Sequence, residues 1–213
     1  KDIGASTPDR AGHFAARSVE VWDLIEAELT GVTMYRVGGG KAAVANEVTL
    51  QMADTNWTAA IDYVALAPYF GPYGINPLSD YENKTIQEAH AWITGESYQT
   101  TPEGWWNDHV AELGHTRIIM YEGGAGADPA TSGDTAAKNA KHLEWLRDEI
   151  IIDGYEWNFQ KSADLGYKIY AVYKSYEYAD NGQYYGQNEY SGEQDFKWQA
   201  VNARALAGGC VKS

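Results

Sequence analysis

Cysteine is almost missing from this chain. Cys210 is the only one in 213 residues, so neither an intrachain disulfide nor a multi-cysteine zinc site can be built, and in its Gly-Gly-Cys tail it reads as an inert thiol. Positive charge is also scarce. The 16 Lys and Arg face 30 Asp and Glu, a formal net charge of −14, which argues against nucleic acid or an anionic membrane as the main partner. No stretch approaches the ~18 consecutive apolar residues of a membrane span, and no signal-peptide core is present. The chain opens on Lys1 rather than Met, which suggests a processed or trimmed form whose sorting signal would already be gone.

Several site chemistries are missing too. His13, His90, His109, His115 and His142 are scattered, with no pair at metal-ligand spacing, so no metal is expected. Asp180-Asn181-Gly182 lacks the alternating oxygens and closing Glu of a calcium loop. Gly38-Gly39-Gly40-Lys41 lacks the spacing of a phosphate loop, and no Gly-x-Ser-x-Gly elbow supports a serine hydrolase. No cofactor is implied. Asn56-Trp57-Thr58 and Asn83-Lys84-Thr85 fit the glycosylation pattern, which matters only in a glycosylating secretory pathway.

Aromatic residues are plentiful: 8 Trp and 16 Tyr. Such amphipathic rings suit sugar stacking, protein interfaces or a wet core boundary, and composition does not choose among them. Apolar spacing predicts an amphipathic helix over 13–29, with Phe14, Val21, Trp22, Ile25 and Leu29 on one stripe. A strand follows over 33–37, ended by the three glycines, and then a helix over 47–53 with Asn46 as its N-cap. Residues 56–60 turn the chain into a strand over 61–70. An excursion over 71–113 carries helices at 85–94 and 103–113, and so large an insertion suggests a functional rim. A strand over 117–121 leads to a helix over 134–152, another over 157–166, a strand over 167–173, a Tyr/Gly/Asn-rich loop over 176–194 and a final helix over 196–207.

The chain is organised around Arg117-Ile-Ile-Met-Tyr-Glu-Gly-Gly-Ala-Gly126. A buried strand ends there in a carboxylate, Glu122, followed by glycines that let backbone approach a ligand. In α/β architectures the carboxyl ends of parallel strands build the ligand crevice. An ordinary solvated Glu before a flexible turn is the plainer reading. Trp105 and Trp106 could form a sugar platform on the rim or pack their helix. Tyr121 adjoins the carboxylate, and Tyr173 stands at the exit of the last strand.

A helix followed by four strand–helix rounds is the pattern of a parallel sheet with right-handed crossovers. A closed (β/α)8 barrel needs eight strands and typically ~250 residues. The fold class expected is therefore α/β, the C-terminal half of such a barrel, as one domain over 1–213 with the inserted rim at 71–113. Its open edges would require a partner. A self-contained four- or five-stranded sheet is the competing account.

Ala65-Leu-Ala-Pro-Tyr-Phe-Gly71 and Met120-Tyr-Glu-Gly-Gly124 resemble the sixth and seventh barrel strands of clan A glycoside hydrolase-like proteins, in particular a secreted, carbohydrate-associated group. Tyr184-Tyr-Gly-Gln-Asn-Glu189 through Phe196-Lys-Trp-Gln-Ala200 resembles that group's eighth-strand loop and closing helix, and the helix near Arg17 to Leu29 resembles the one after its fourth strand. The resemblance implies a retaining glycosidase with Glu122 as nucleophile and Tyr69 as the aromatic that hydrogen-bonds it. The family's acid/base stands in an Asn-Glu pair ending the fourth strand. Asn46-Glu47 matches in type, but falls after the fifth strand at a helix start, where capping and the helix dipole account for it.

Two functions follow as expectations. One is a carbohydrate-active retaining hydrolase, extracellular or secreted, acting on an oligo- or polysaccharide with an N-terminal half-barrel or homo-oligomer partner. Its site would comprise Glu122 with Tyr69, Tyr121, Trp105, Trp106 and Tyr173. The other is a non-catalytic structural or carbohydrate-binding protein on the same scaffold.

Overall fold

The computed structural model describes residues 7–42, 45–67, 69–71, 81–95, 102–114, 116–126, 136–167, 171–172, 196–205 and 207. The chain opens on α1 (Thr7–Glu28) and enters β1 (Val37–Gly39), followed by α2 (Asn46–Met52) and α3 (Thr55–Ala60). Next come β2 (Tyr63–Leu66), a 3-10 turn at Tyr81–Asn83, α4 (Ile86–Gly95) and α5 (Pro102–Leu113). After β3 (Ile118–Met120) the order is α6 (Ala136–Arg147), α7 (Ile151–Leu165) and α8 (Phe196–Arg204). No helix among the described residues is long and apolar enough to cross a membrane.

The three strands form one parallel sheet in the order β1-β2-β3. Gly38 stands beside Val64 and Val64 beside Ile118, so these residues point to one face. That face, together with Leu66 and Met120, packs against Val48 of α2, Trp57 of α3, and Trp106 and Leu113 of α5. All three helices therefore cover the same side. The opposite side carries Val37, Gly39, Tyr63, Ala65 and Ile119, of which Val37 and Gly39, on the edge strand, are exposed. Beyond β3 the Ala171 amide donates to the Met120 carbonyl at 3.1 Å, so the chain returns alongside that strand. The rest of the strand expected over 167–173, apart from Tyr167 and Val172, lies outside the described residues, as does the loop over 176–194.

The triple glycine does not end a strand, as its composition suggests. Gly38 and Gly39 are the strand itself. A Cβ on Gly38 would collide with the Trp57 indole and stand 2.7 Å from Ile61 Cδ1, while one on Gly40 would stand 2.6 Å from Val48 Cγ2. Glycine at these alternate positions lets α2 and α3 lie directly on the backbone. Gly39 points the other way, with nothing within 4 Å. The expected strand over 33–37 thus begins at its last residue, because the apolar residues before it serve as approach.

Helix ends follow capping chemistry. Thr85 and Glu88 form a reciprocal box in which the Glu88 amide donates to Thr85 Oγ1 at 3.1 Å and the Thr85 amide to Glu88 Oε2 at 2.8 Å. The Thr85 amide and hydroxyl, both donating to Glu88 Oε2, hold the Glu88 carboxyl below its ordinary range. The segment expected to turn at 56–60 is instead α3, because Asp54 accepts from the amides of Asn56 and Trp57 and nucleates it. Asn46 is not an N-cap. The cap is Ala45, already helical in φ and ψ and without a side-chain bond, which leaves Asn46 as an exposed first residue. The helix expected over 134–152 is broken, since the Asp148 carboxylate accepts from the Ile150 amide at 2.9 Å and restarts the chain as α7. Gly166, at φ 93°, closes α7 with its amide bonded to the Ser162 and Ala163 carbonyls.

α1 forms as the spacing predicts, starting earlier, but its apolar stripe is not a core face. Ala15 is buried and Val19 and Trp22 pack against the core, whereas Phe14, Val21, Leu24, Ile25 and Leu29 are exposed, Leu24 at 65%. Arg36 ties α1 to the start of β1: Nη2 donates to Asp23 at 2.8 Å and to Glu26 at 2.6 Å, and Nε to Glu26 at 2.9 Å. This forked pairing lowers the pKa of Glu26 and raises that of Arg36.

Candidate functional site

Parallel strands in register bring their carboxyl ends to one side. The Tyr121 amide bonds the Leu66 carbonyl at 3.1 Å, the Phe70 amide bonds the Gly124 carbonyl at 3.0 Å, and the Gly126 amide bonds the Phe70 carbonyl at 3.0 Å. The segment after β3 therefore runs beside the segment after β2 as far as the Phe70–Ala125 bridge. Tyr69 and Glu122 lie within this paired exit. Glu122 is half-buried and Tyr121 is exposed at 50%. Among the described residues the Glu122 carboxylate makes no hydrogen bond or ion pair. Gly124 takes φ 134°, open chiefly to glycine, and Gly123, Gly124 and Gly126 are buried.

The exit rests on an aromatic nest. Phe70 is fully buried, edge-on to Tyr155 at 5.1 Å, Trp145 at 6.1 Å and Trp157 at 6.2 Å between ring centres. The Tyr155 hydroxyl accepts from the Ala125 amide at 3.0 Å. Gly154 lets α7 approach closely, since a Cβ there would stand 3.1 Å from Phe70 Cε2. Glu122 thus stands on a loop whose backbone is anchored below it. Nothing in the sequence pattern singled out Tyr155 or Gly154 for this task.

The expected aromatic wall is only partly built from described side chains. Trp106 is a core residue, buried and packed against Tyr167 with ring centres 4.6 Å apart, so it fastens α5 to the sheet instead of standing on the rim. The side chain of Trp105 and all of Tyr173 lie outside the described residues. Tyr69 and Tyr121 remain at the carboxyl end. Burial raises the Tyr167 hydroxyl well above the ordinary tyrosine range, which keeps it neutral.

At the β1 edge of the sheet, His109 organises the turn after β1. Its Nε2 lies 3.0 Å from the Lys41 carbonyl and 3.1 Å from the Ala42 carbonyl. Carbonyls only accept, so Nε2 carries the proton and donates to both. Burial pushes its pKa down and outweighs these bonds, which act to raise it. Glu47, in the first turn of α2, pairs with Lys41 at 3.2 Å. Glu47 follows β1 and Glu122 follows β3, with β2 between those strands. No group of three or more His, Cys, Asp or Glu that could hold a metal occurs among the described residues.

No protein-family model, curated protein or solved structure matches the chain.

Proposed function

We propose that this chain is a carbohydrate-active segment on half of a (β/α)8 scaffold, with Glu122 as the nucleophile of a retaining glycosidase. The observation that carries the reading is a half-buried carboxylate, without a hydrogen bond or ion pair among the described residues, two residues past β3 at the carboxyl end of a sequentially ordered parallel sheet. Strand order β1-β2-β3, with α2, α3 and α5 on one face, suits single winding around a barrel; a doubly wound sheet places helices on both faces. The edge of β1, unpaired among the described residues, and the exposed apolar stripe of α1 support completion by the other half of the barrel, in the same polypeptide or another. Glu47, in the first turn of α2 where the helix dipole accounts for it and paired with Lys41, is left out of the acid/base role, which falls to a carboxyl of that other half. The resemblance of Ala65–Gly71 and Met120–Gly124 to clan A sixth and seventh strands supports the same assignment, and a secreted location accompanies it.

The nucleophile can be tested without its acid. A 2-deoxy-2-fluoroglycoside with a dinitrophenolate leaving group needs no protonation: Glu122 attacks the anomeric carbon, the C–O bond breaks and dinitrophenolate departs as the anion. The reading expects the sugar mass on the Glu122 peptide of the intact protein and none in Glu122→Gln. Absence of label across gluco-, galacto-, manno- and xylo-configured probes overturns it.

A second reading is a non-catalytic structural or carbohydrate-binding protein on the same scaffold. It is favoured by the run of exposed apolar side chains from Phe14 to Val37, a surface suited to assembly. Unlabelled Glu122 with retained sugar binding selects it.

A further inference from the structure

Backbone groups along a strand point alternately to its two edges, and those of β1 divide cleanly. The Arg36 carbonyl accepts from the Tyr63 amide and the Gly40 amide donates to the Ala65 carbonyl, so the N–H and C=O groups of Val37 and Gly39 point to the edge away from β2. There the Gly39 carbonyl accepts from Gln51 Nε2 at 3.1 Å. The Val37 carbonyl and the Gly39 amide make no hydrogen bond among the described residues. One acceptor and one donor two residues apart are what a single residue of a parallel strand takes, its amide donating to Val37 and its carbonyl accepting from Gly39. An antiparallel neighbour opposite Gly39 would need that residue's own carbonyl, which Gln51 holds.

α1 marks the same seam. Ala15, Val19 and Trp22 share the face that packs into the core beside α2 and α3. Roughly a third of a turn to one side, Ala16, Glu20, Asp23 and Ala27 form an exposed face of small and acidic residues. Roughly a third of a turn to the other side lie Phe14, Val21 and Ile25, 40% to 48% exposed. A helix with a solvent face on one flank and an apolar stripe on the other lacks a neighbour on the second flank. Arg36 holds Asp23 and Glu26, on either side of Ile25, to the start of β1. The exposed apolar side chains continue through Val32 and Tyr35 to Val37, so the stripe of α1 and the edge of β1 form one surface that a single element laid along β1 would cover.

We propose that this surface is the docking seam for one apolar β-strand, running parallel to β1 and contributed by the other half of the scaffold. Its central residue stands beside Gly38 in the row Gly38, Val64, Ile118, so its side chain points to the helix side of the sheet, toward the stripe of α1. The pairing stops at Gly39, where Gln51 closes the ladder. The inference rests on the half-barrel reading for the source of the strand alone; the seam comes from α1 and β1 and uses neither Glu122 nor a sugar.

The test is a capped peptide, Lys-Thr-Val-Thr-Ile-Thr-Val-Thr-Lys, titrated into the intact protein and followed by amide NMR and hydrogen exchange. Its apolar residues alternate as one face of a strand requires, and its lysines suit a chain of net charge −14. The expected result is saturable binding with a Kd of about 1 mM or below that slows exchange of the Gly39 amide. It should weaken by about tenfold or more in Ile25→Lys and when the Val and Ile residues of the peptide are N-methylated, which removes their donors and leaves the protein unaltered. A spin label on the first residue of the peptide should broaden Tyr35 more than Lys41, the mark of a parallel strand. Stronger broadening at Lys41, binding indifferent to N-methylation, or Gly39 exchange unchanged by bound peptide each overturns the proposal, as does absence of saturable binding to folded protein. Peptide binding that persists in Glu122→Gln while no fluorosugar labels Glu122 keeps the seam and removes the glycosidase.

Discussion

The Tyr155 hydroxyl accepts a hydrogen bond from the Ala125 amide at 3.0 Å, joining the second turn of α7 to the loop that carries Glu122. Both partners are fully buried, so removing the oxygen leaves an amide without a partner in an apolar nest. Tyr155→Phe is therefore expected to cost about 1–3 kcal/mol. It should also raise hydrogen exchange at Ala125 more than at residues of α1. Urea unfolding with site-resolved exchange checks this, and unchanged protection at Ala125 would show that the loop does not depend on the bond.

The three consecutive glycines make a sharper test, because neighbours of identical type stand in opposite environments. Gly38→Ala drives a methyl into Trp57, and Gly40→Ala drives one against Val48 Cγ2. Overpacking of this kind costs roughly 1–3 kcal/mol each, or more where helices must shift. Gly39→Ala meets nothing within 4 Å and has no positive φ, so it should be neutral or gain about 0.4–1 kcal/mol from the stiffer unfolded chain. Equal losses at all three positions in thermal unfolding would contradict the placement of α2 and α3.

These glycines also mark where sequence reading stops. Composition treats Gly-Gly-Gly as punctuation, because it holds no record of the Trp57 and Val48 side chains that need the space. Helices α4 and α5 were legible, α4 the more so since Thr85-Ile-Gln-Glu88 is a local capping signature and contacts within one turn are written in adjacent residues. Glu122 at a strand mouth was legible for the same reason: an apolar run ended in a carboxylate. His109 was not, because the carbonyls it holds are 67 and 68 residues away in sequence. Tyr155 was missed likewise, its amide partner being 30 residues distant. The stripe on α1 was legible as a stripe, but not which of its residues are covered: periodicity reports that a helix has an apolar face, not what lies against it.

Acid should destabilise the fold through its buried histidines before its carboxylates titrate. Burial pushes His142 from an ordinary 6.5 down to about 4, with the Lys138 charge adding to the fall, and burial also lowers His90 and His109. The unfolded chain takes up a proton near 6.5 while folded His142 stays neutral. Its contribution is thus complete above pH 6.5, declines as pH falls and levels off below about 4. The shift corresponds to on the order of 3 kcal/mol across that window. Glu26 and Glu88, both lowered from 4.5, add their losses only below that value. His142→Gln should flatten the pH dependence of the unfolding free energy between pH 6.5 and 4, measured by urea titration at half-unit steps, and an unchanged slope would remove His142 as the cause.

The exposed stripe on α1 can be judged by substitutions that leave the fold alone. Leu24 is 65% exposed and Leu29 47%, so replacing them with lysine removes little buried area and should move the unfolding free energy by no more than about 0.5 kcal/mol each. Their effect should fall on whatever contacts that face. The double variant Leu24→Lys, Leu29→Lys is expected to bind less of an apolar dye such as anilinonaphthalene sulfonate, and to lose association with the proposed complementary barrel half while keeping its unfolding midpoint. An aromatic-to-polar change inside the core, such as Trp57→Gln, should do the reverse, raising dye binding as the fold loosens. If the lysine pair instead lowers the midpoint as Trp57→Gln does, the stripe is packed within this chain, and the case for a second half seated on α1 and the β1 edge fails.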